Sequence, residues 1–81
     1  MPHIIIKLYP GRSEEQKINL AKNITAAVSE SLQSNESSIS VAIEEIQSED
    51  WAKEVYKKDI LDNYEKIYKK PGYKPSEDEL K

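Results

Sequence analysis

Cysteine and phenylalanine are absent from the 81 residues, histidine and tryptophan occur once each, and glycine twice. Each shortage closes off some chemistry. Without cysteine there is no thiol nucleophile, no thiolate metal site and no disulfide staple. The lone histidine, His3, cannot build a multi-histidine metal site, so no metal is expected. No apolar run approaches the ~18 residues of a membrane span. The N-terminus lacks the basic and apolar segments of a secretory signal. The chain therefore reads as cytoplasmic, with no membrane partner. Its 15 acidic and 12 basic residues leave a net charge of −3, the wrong sign for a nucleic-acid footprint. One domain, residues 1–81, is expected. A chain this short buries only somewhat over ~60% of its unfolded surface, and here only 37% of its residues are apolar. A second copy of the chain is the natural source of the missing burial, so a homo-oligomer is expected on physical grounds alone.

What is present is strongly patterned. Residues 3 to 8 read as a strand with Ile4, Ile6 and Leu8 on one face and His3, Ile5 and Lys7 on the other; apolar residues on both faces imply a mostly buried strand. Tyr9-Pro10-Gly11 breaks it. Ser13-Glu14-Glu15-Gln16 is a capping box, with two acids in the first turn where the helix dipole favours them. Ile18, Ala21, Ile24, Val28 and Leu32, flanked by Leu20 and Ala27, then mark one stripe of a helix over 14–33, with Asn35 as its stop. A second alternating run places Ile39, Val41 and Ile43 on one strand face, and Ile46 ends it. Strand, helix and strand in this order make a β-α-β unit with a parallel crossover.

Beyond Ile46 the apolar spacing loses its regularity. It predicts a short helical turn at 48–52, an irregular or extended piece, and a second helix over 59–70 carrying Ile60, Leu61, Tyr64, Ile67 and Tyr68, stopped by Pro71-Gly72. Tyr73 to Lys81 reads as a charged, loosely held tail.

The first two residues carry the chemistry. Removal of Met1 would turn Pro2 into a secondary amine, a compact base built into the backbone. An ordinary α-amino group titrates near ~8, and burial or nearby positive charge lowers that by favouring the neutral form. A base near neutrality suits proton transfer at carbon.

Pro2, the strand behind it, the segment Gly11-Arg12-Ser13-Glu14-Glu15-Gln16-Lys17 and the second strand together resemble the 4-oxalocrotonate tautomerase family. The resemblance covers about residues 2–51, leaving a C-terminal helix and tail over 52–81. It implies a small α/β (α+β) fold in which two β-α-β units pair into a four-stranded sheet with helices on one face. Pro2-His3-Ile4, Ser37-Ser38-Ile39-Ser40, Ile46-Gln47, Trp51 and Lys69-Lys70-Pro71-Gly72-Tyr73 resemble a C-terminally extended subgroup whose members are homodimers. The resemblance implies a cofactor-independent keto–enol tautomerase with three site residues. Pro2 is the catalytic base, Arg12 binds the substrate carboxylate, and Trp51 lines the site. The family's second-strand arginine is replaced by Ser40, which removes a cation. The implied substrate is accordingly a 2-hydroxy-unsaturated (enol) or 2-keto monocarboxylate with an apolar or aromatic tail, such as phenylenolpyruvate.

Each residue also has a plainer reading. Arg12 would be a solvated cation offsetting Glu14 and Glu15. Trp51 would be packing, and His3 a sheet residue facing a neighbour. Lys69 and Lys70 stand either as replacements for the missing cation or as a solvated helix end. Tyr9, Tyr64, Tyr68 and Tyr73 are candidate pocket walls. Two other functions use the same scaffold: hydration or dehalogenation of an unsaturated acid by a protonated Pro2, and a non-catalytic dimer that binds aromatic carboxylates or a protein partner.

Overall fold

The β-branched run His3–Leu8 forms strand β1, and Ser40–Glu45 forms β2, in a computed structural model that describes all residues from 1 to 81. The strands pair in parallel from His3 opposite Ser40 to Leu8 opposite Glu45, as the only two strands of the sheet. Helix α1, Glu14–Leu32, joins them and packs against β2. The chain thus contains the expected β-α-β unit. It divides into two compact units, Met1–Glu45 and Ile46–Lys81.

In the first unit, Ser13 accepts from the Gln16 amide at 3.1 Å and the Gln16 carboxamide accepts from the Ser13 amide at 2.9 Å, so the capping box is complete. Ser13→Ala should lower stability by about 1 kcal/mol, read as a fall in Tm of roughly 4–8 °C for a domain of this size; an unchanged thermal midpoint by circular dichroism would deny the cap that role. The helix ends at Leu32, three residues before Asn35. Gln33 takes the left-handed conformation (φ 52°, ψ 45°), and the amides of Gln33 and Ser34 both reach the Ser29 carbonyl. Asn35 instead caps the 3-10 turn Glu36–Ser38, accepting from the Ser37 amide at 3.3 Å.

The inward stripe of α1 is rotated from the one expected. Leu20, Ala21, Ile24 and Val28 are half-buried, while Ile18 is 53% and Leu32 62% exposed. Ile5, on the sheet face away from Ile4 and Ile6, is 53% exposed. No residue of the first unit is fully buried.

The second unit departs most from the sequence expectation. A turn of α-helix, α2 at Ser48–Trp51, runs directly into a π-helical segment, Ala52–Ile60, then a 3-10 segment, Leu61–Lys66. Residues expected to be irregular or extended are therefore helical. The wide winding explains the spacing: Val55 is buried and Ile60 half-buried five residues later, an interval one π turn places on one face. The Leu61 amide bonds both the Lys57 and Tyr56 carbonyls at the end of this segment. Asn63 then leaves helical geometry (φ −127°, ψ 29°), and its side-chain amide donates to the Lys58 carbonyl at 3.0 Å. The helical run closes at Ile67, which is extended, so Pro71-Gly72 is not its terminator. The tail is ordered locally as well. Ser76 and Glu79 form a second capping box over the short helix α3, Glu77–Leu80. That arrangement holds the Glu79 carboxyl below its ordinary range, chiefly through its hydrogen bond with the Ser76 backbone. Helix α3 packs on the π segment. No helix is long and apolar enough to cross a membrane.

Candidate active site

Pro2 is half-buried at the start of β1, and Met1 before it is fully exposed. The Pro2 carbonyl accepts from the Ser40 amide at 3.1 Å. One residue on, His3 Nδ1 and Ser40 Oγ share a hydrogen bond of 2.6 Å, across the register pair His3–Ser40. Ser40 therefore grips both sides of the Pro2–His3 peptide. His3 faces a neighbour, as the plainer reading had it.

Arg12 lies past the other end of β1. Gly11 before it has a φ of 119°, a backbone conformation that side-chain-bearing residues rarely adopt, and lets the chain turn into the helix cap. Arg12 borders a cleft with Leu8, Gln16, Lys17 and Leu20. The acids near it are not its partners. Glu14 pairs with Lys17 at 3.4 Å, and Lys17 also reaches Glu45 at 3.5 Å. The hydrogen bond to Glu14, aided by the charge of Glu45 and opposed by partial burial, holds the Lys17 ammonium above its ordinary range. The two cations of the cleft thus differ: Lys17 is neutralised by protein carboxylates, while the Arg12 guanidinium is left to face solvent beside two leucines.

Pro2 and Arg12 do not meet within one chain. Pro2 and Leu8 are six residues apart along an extended strand, roughly 20 Å at ~3.3 Å per residue, and Arg12 sits at the Leu8 end. A small acid held by Arg12 is out of reach of the same chain's Pro2.

In the second unit, Trp51 is half-buried at the end of α2, and its indole N–H donates to the Tyr73 hydroxyl at 2.8 Å. The Tyr73 ring meets the Tyr56 ring at 5.4 Å, tilted by 55°. Tyr56 is only 6% exposed. Sequence reasoning had left Tyr73 unranked among four tyrosines; its return across 22 residues to Trp51 is a tertiary contact that local pattern does not encode. Tyr68 is fully exposed. Lys70 is engaged locally, donating to the Ile67 carbonyl at 3.3 Å and lying 4.8 Å over the Tyr64 ring, an arrangement worth about 0.5–1 kcal/mol at an exposed site.

Comparison with known proteins shows the family. Residues 2–59 match the family model described as "Tautomerase enzyme", a span that crosses the boundary between the two compact units. A probable tautomerase of Xylella fastidiosa is 41% identical over 73 residues, covering 90% of this chain and 89% of that protein. The tautomerase PptA of Cronobacter sakazakii is 42% identical over 74 residues, covering 90% and 97%. Among solved structures, YwhB, described as a homologue of 4-oxalocrotonate tautomerase, superposes with a TM-score of 0.58 at 40% identity, over 59% of this chain and 79% of that one.

Proposed function

Because the chain belongs to the tautomerase enzyme family, we propose that it is a cofactor-independent keto–enol isomerase in which Pro2, freed by loss of Met1, is the general base. The observation that carries this reading is the contrast at the two ends of β1. A proline is pinned by Ser40 at one end, and a guanidinium without a protein carboxylate lies beside apolar walls at the other. A guanidinium in that setting suits the bidentate capture of a substrate carboxylate.

The reaction is an isomerisation and needs no oxidant. The neutral Pro2 nitrogen takes the proton of the enol hydroxyl. The oxygen electron pair closes to a carbonyl as the adjacent alkene carbon takes a proton from the prolinium. Substrate and product have the same atoms, and the base is regenerated. Arg12 holds the carboxylate and opposes the charge that builds along the conjugated system. Trp51 packs on the substrate tail. With Ser40 in place of a cation, the preferred substrate is a monocarboxylate with an apolar or aromatic tail, of the kind phenylenolpyruvate represents, acted on in the cytoplasm.

In this reading the two roles fall to different copies, which the separation of Pro2 from Arg12 along β1 supports. Each strand of a two-stranded sheet has an unpaired edge. Antiparallel pairing of β1 with β1 about a two-fold axis would set the start of one strand beside the end of the other. Pro2 would then face Arg12 of the partner subunit, and the sheet would become four-stranded. The same pairing addresses the thin burial of the first unit, since a two-stranded sheet is marginal by itself and a free edge invites pairing.

The test is a comparison of enols on protein whose intact mass lacks Met1. Ketonisation of phenylenolpyruvate should exceed that of a dicarboxylate enol in kcat/KM. Ser40→Arg should shift the ratio toward the dicarboxylate. No turnover of any enol acid by the processed protein would reject the reading.

A further inference from the structure

The segment after the helical run is held at successive points. The Lys70 ammonium rests over Tyr64 and bonds the Ile67 carbonyl, Pro71 is half-buried, Tyr73 reaches Trp51 and Tyr56, and the capped helix α3 packs on the π segment. Within this strap Tyr73 makes two contacts of different kinds. Its ring packs on the ring of buried Tyr56. Its hydroxyl accepts the Trp51 indole N–H. The energetics separate them. An aromatic pair adds to stability beyond its buried area. Tyr73 itself is 49% exposed, so water competes for the indole N–H and the hydroxyl bond contributes only the modest net share of one neutral hydrogen bond. What the bond does is orient: an indole has one N–H, and holding it at 2.8 Å from the Tyr73 hydroxyl favours the side-chain rotamer that aims it there.

We infer that Tyr73 is a positioning residue whose hydroxyl sets the Trp51 indole plane, and through it the preference for enol acids with an aromatic tail over small aliphatic ones. This rests on Trp51 packing against the substrate tail, as proposed above. A correctly oriented flat surface benefits a ligand that can stack on it, and gives nothing to a ligand without a ring. The hydroxyl therefore acts on aromatic ligand affinity and leaves the proton-transfer step alone.

Tyr73→Phe isolates the hydroxyl, because the ring that packs on Tyr56 remains. Trp51 is the sole tryptophan, so its fluorescence reports directly on the contact. Titration with 3-phenylpropionate, which has no keto or enol group and cannot turn over, should quench that emission. In Tyr73→Phe the dissociation constant should rise about two- to tenfold, the range set by one neutral hydrogen bond. KM for phenylenolpyruvate should rise in parallel with kcat nearly unchanged, and KM for a short aliphatic enol acid should stay as it was. Equal rises in KM for both substrates, or unchanged values for all ligands, would overturn the inference. So would a wild-type Trp51 signal that 3-phenylpropionate does not move. The binding arm stands apart from catalysis: if the protein turns over no enol yet binds 3-phenylpropionate in a Tyr73-dependent way, the isomerase reading fails and the positioning role survives.

Discussion

Pro2→Ala should reduce kcat/KM for enol ketonisation by about 10²–10⁴-fold, the usual contribution of a positioned general base, while leaving the protein folded. The size of the loss follows from what alanine keeps. Met-Ala is processed as Met-Pro is, so the variant still carries an α-amine at the same place. It loses the ring that restricts the orientation of the nitrogen lone pair. The Pro2 carbonyl accepts the Ser40 amide through the backbone, and an alanine there keeps that bond, so the thermal midpoint should stay close to that of the parent. Retention of Met1 makes the sharper comparison. The proline nitrogen then becomes a tertiary amide with no basicity, and the rate should fall to background in a protein of otherwise identical sequence. Intact mass and rate should track one another across preparations with different degrees of processing. A fully Met1-bearing sample that turns over phenylenolpyruvate at the processed rate would remove Pro2 from the mechanism.

The parts of this molecule that were legible in its sequence are those set by local rules. β1 was readable because three β-branched residues, Ile4, Ile5 and Ile6, precede the break at Pro10-Gly11, and its bounds agree. The start of α1 was readable because Ser13 and Gln16 are three apart and close a reciprocal capping box. A second box of the same form, Ser76 and Glu79, was present in the tail but lacked the apolar run that gives such a signal weight. The π segment was not readable as such. Its spacing of five between Val55 and Ile60 fits neither a 3.6-residue nor a two-residue period, and a wide turn is stabilised by what it buries, not by propensity. Asn63 likewise kinks the helical run, its side-chain amide bonding the Lys58 carbonyl, a choice its neighbours in sequence do not announce. As for the site, residue chemistry pointed to Pro2 and the family resemblance to Arg12, but only the parallel register and the length of β1 reveal how far apart they lie. Trp51 was singled out by resemblance, and its partner Tyr73 emerges only when the chain is folded.

That distance makes the strongest prediction about assembly. Arg12→Ala should lower kcat/KM for a carboxylate substrate by roughly 10–100-fold, since a charge-assisted contact contributes about 1.5–3 kcal/mol. Pro2→Ala is more damaging still. Each variant alone has both of its sites broken. If the dimer is two-fold symmetric and each site takes Pro2 from one chain and Arg12 from the other, a heterodimer of the two variants contains one site with both residues intact and one with neither. Random assembly of equal amounts makes half the dimers mixed, so co-refolded variants should recover about a quarter of the wild-type activity, well above either parent. A site built within one chain gives the opposite result: every site in every dimer then carries one lesion, and the mixture cannot exceed the average of its parents. The double variant Pro2→Ala/Arg12→Ala mixed with wild type supplies the control. Under the shared-site arrangement each heterodimer then has two half-broken sites, and activity should fall toward that of the remaining wild-type homodimers, again about a quarter, where a within-chain site would retain about half.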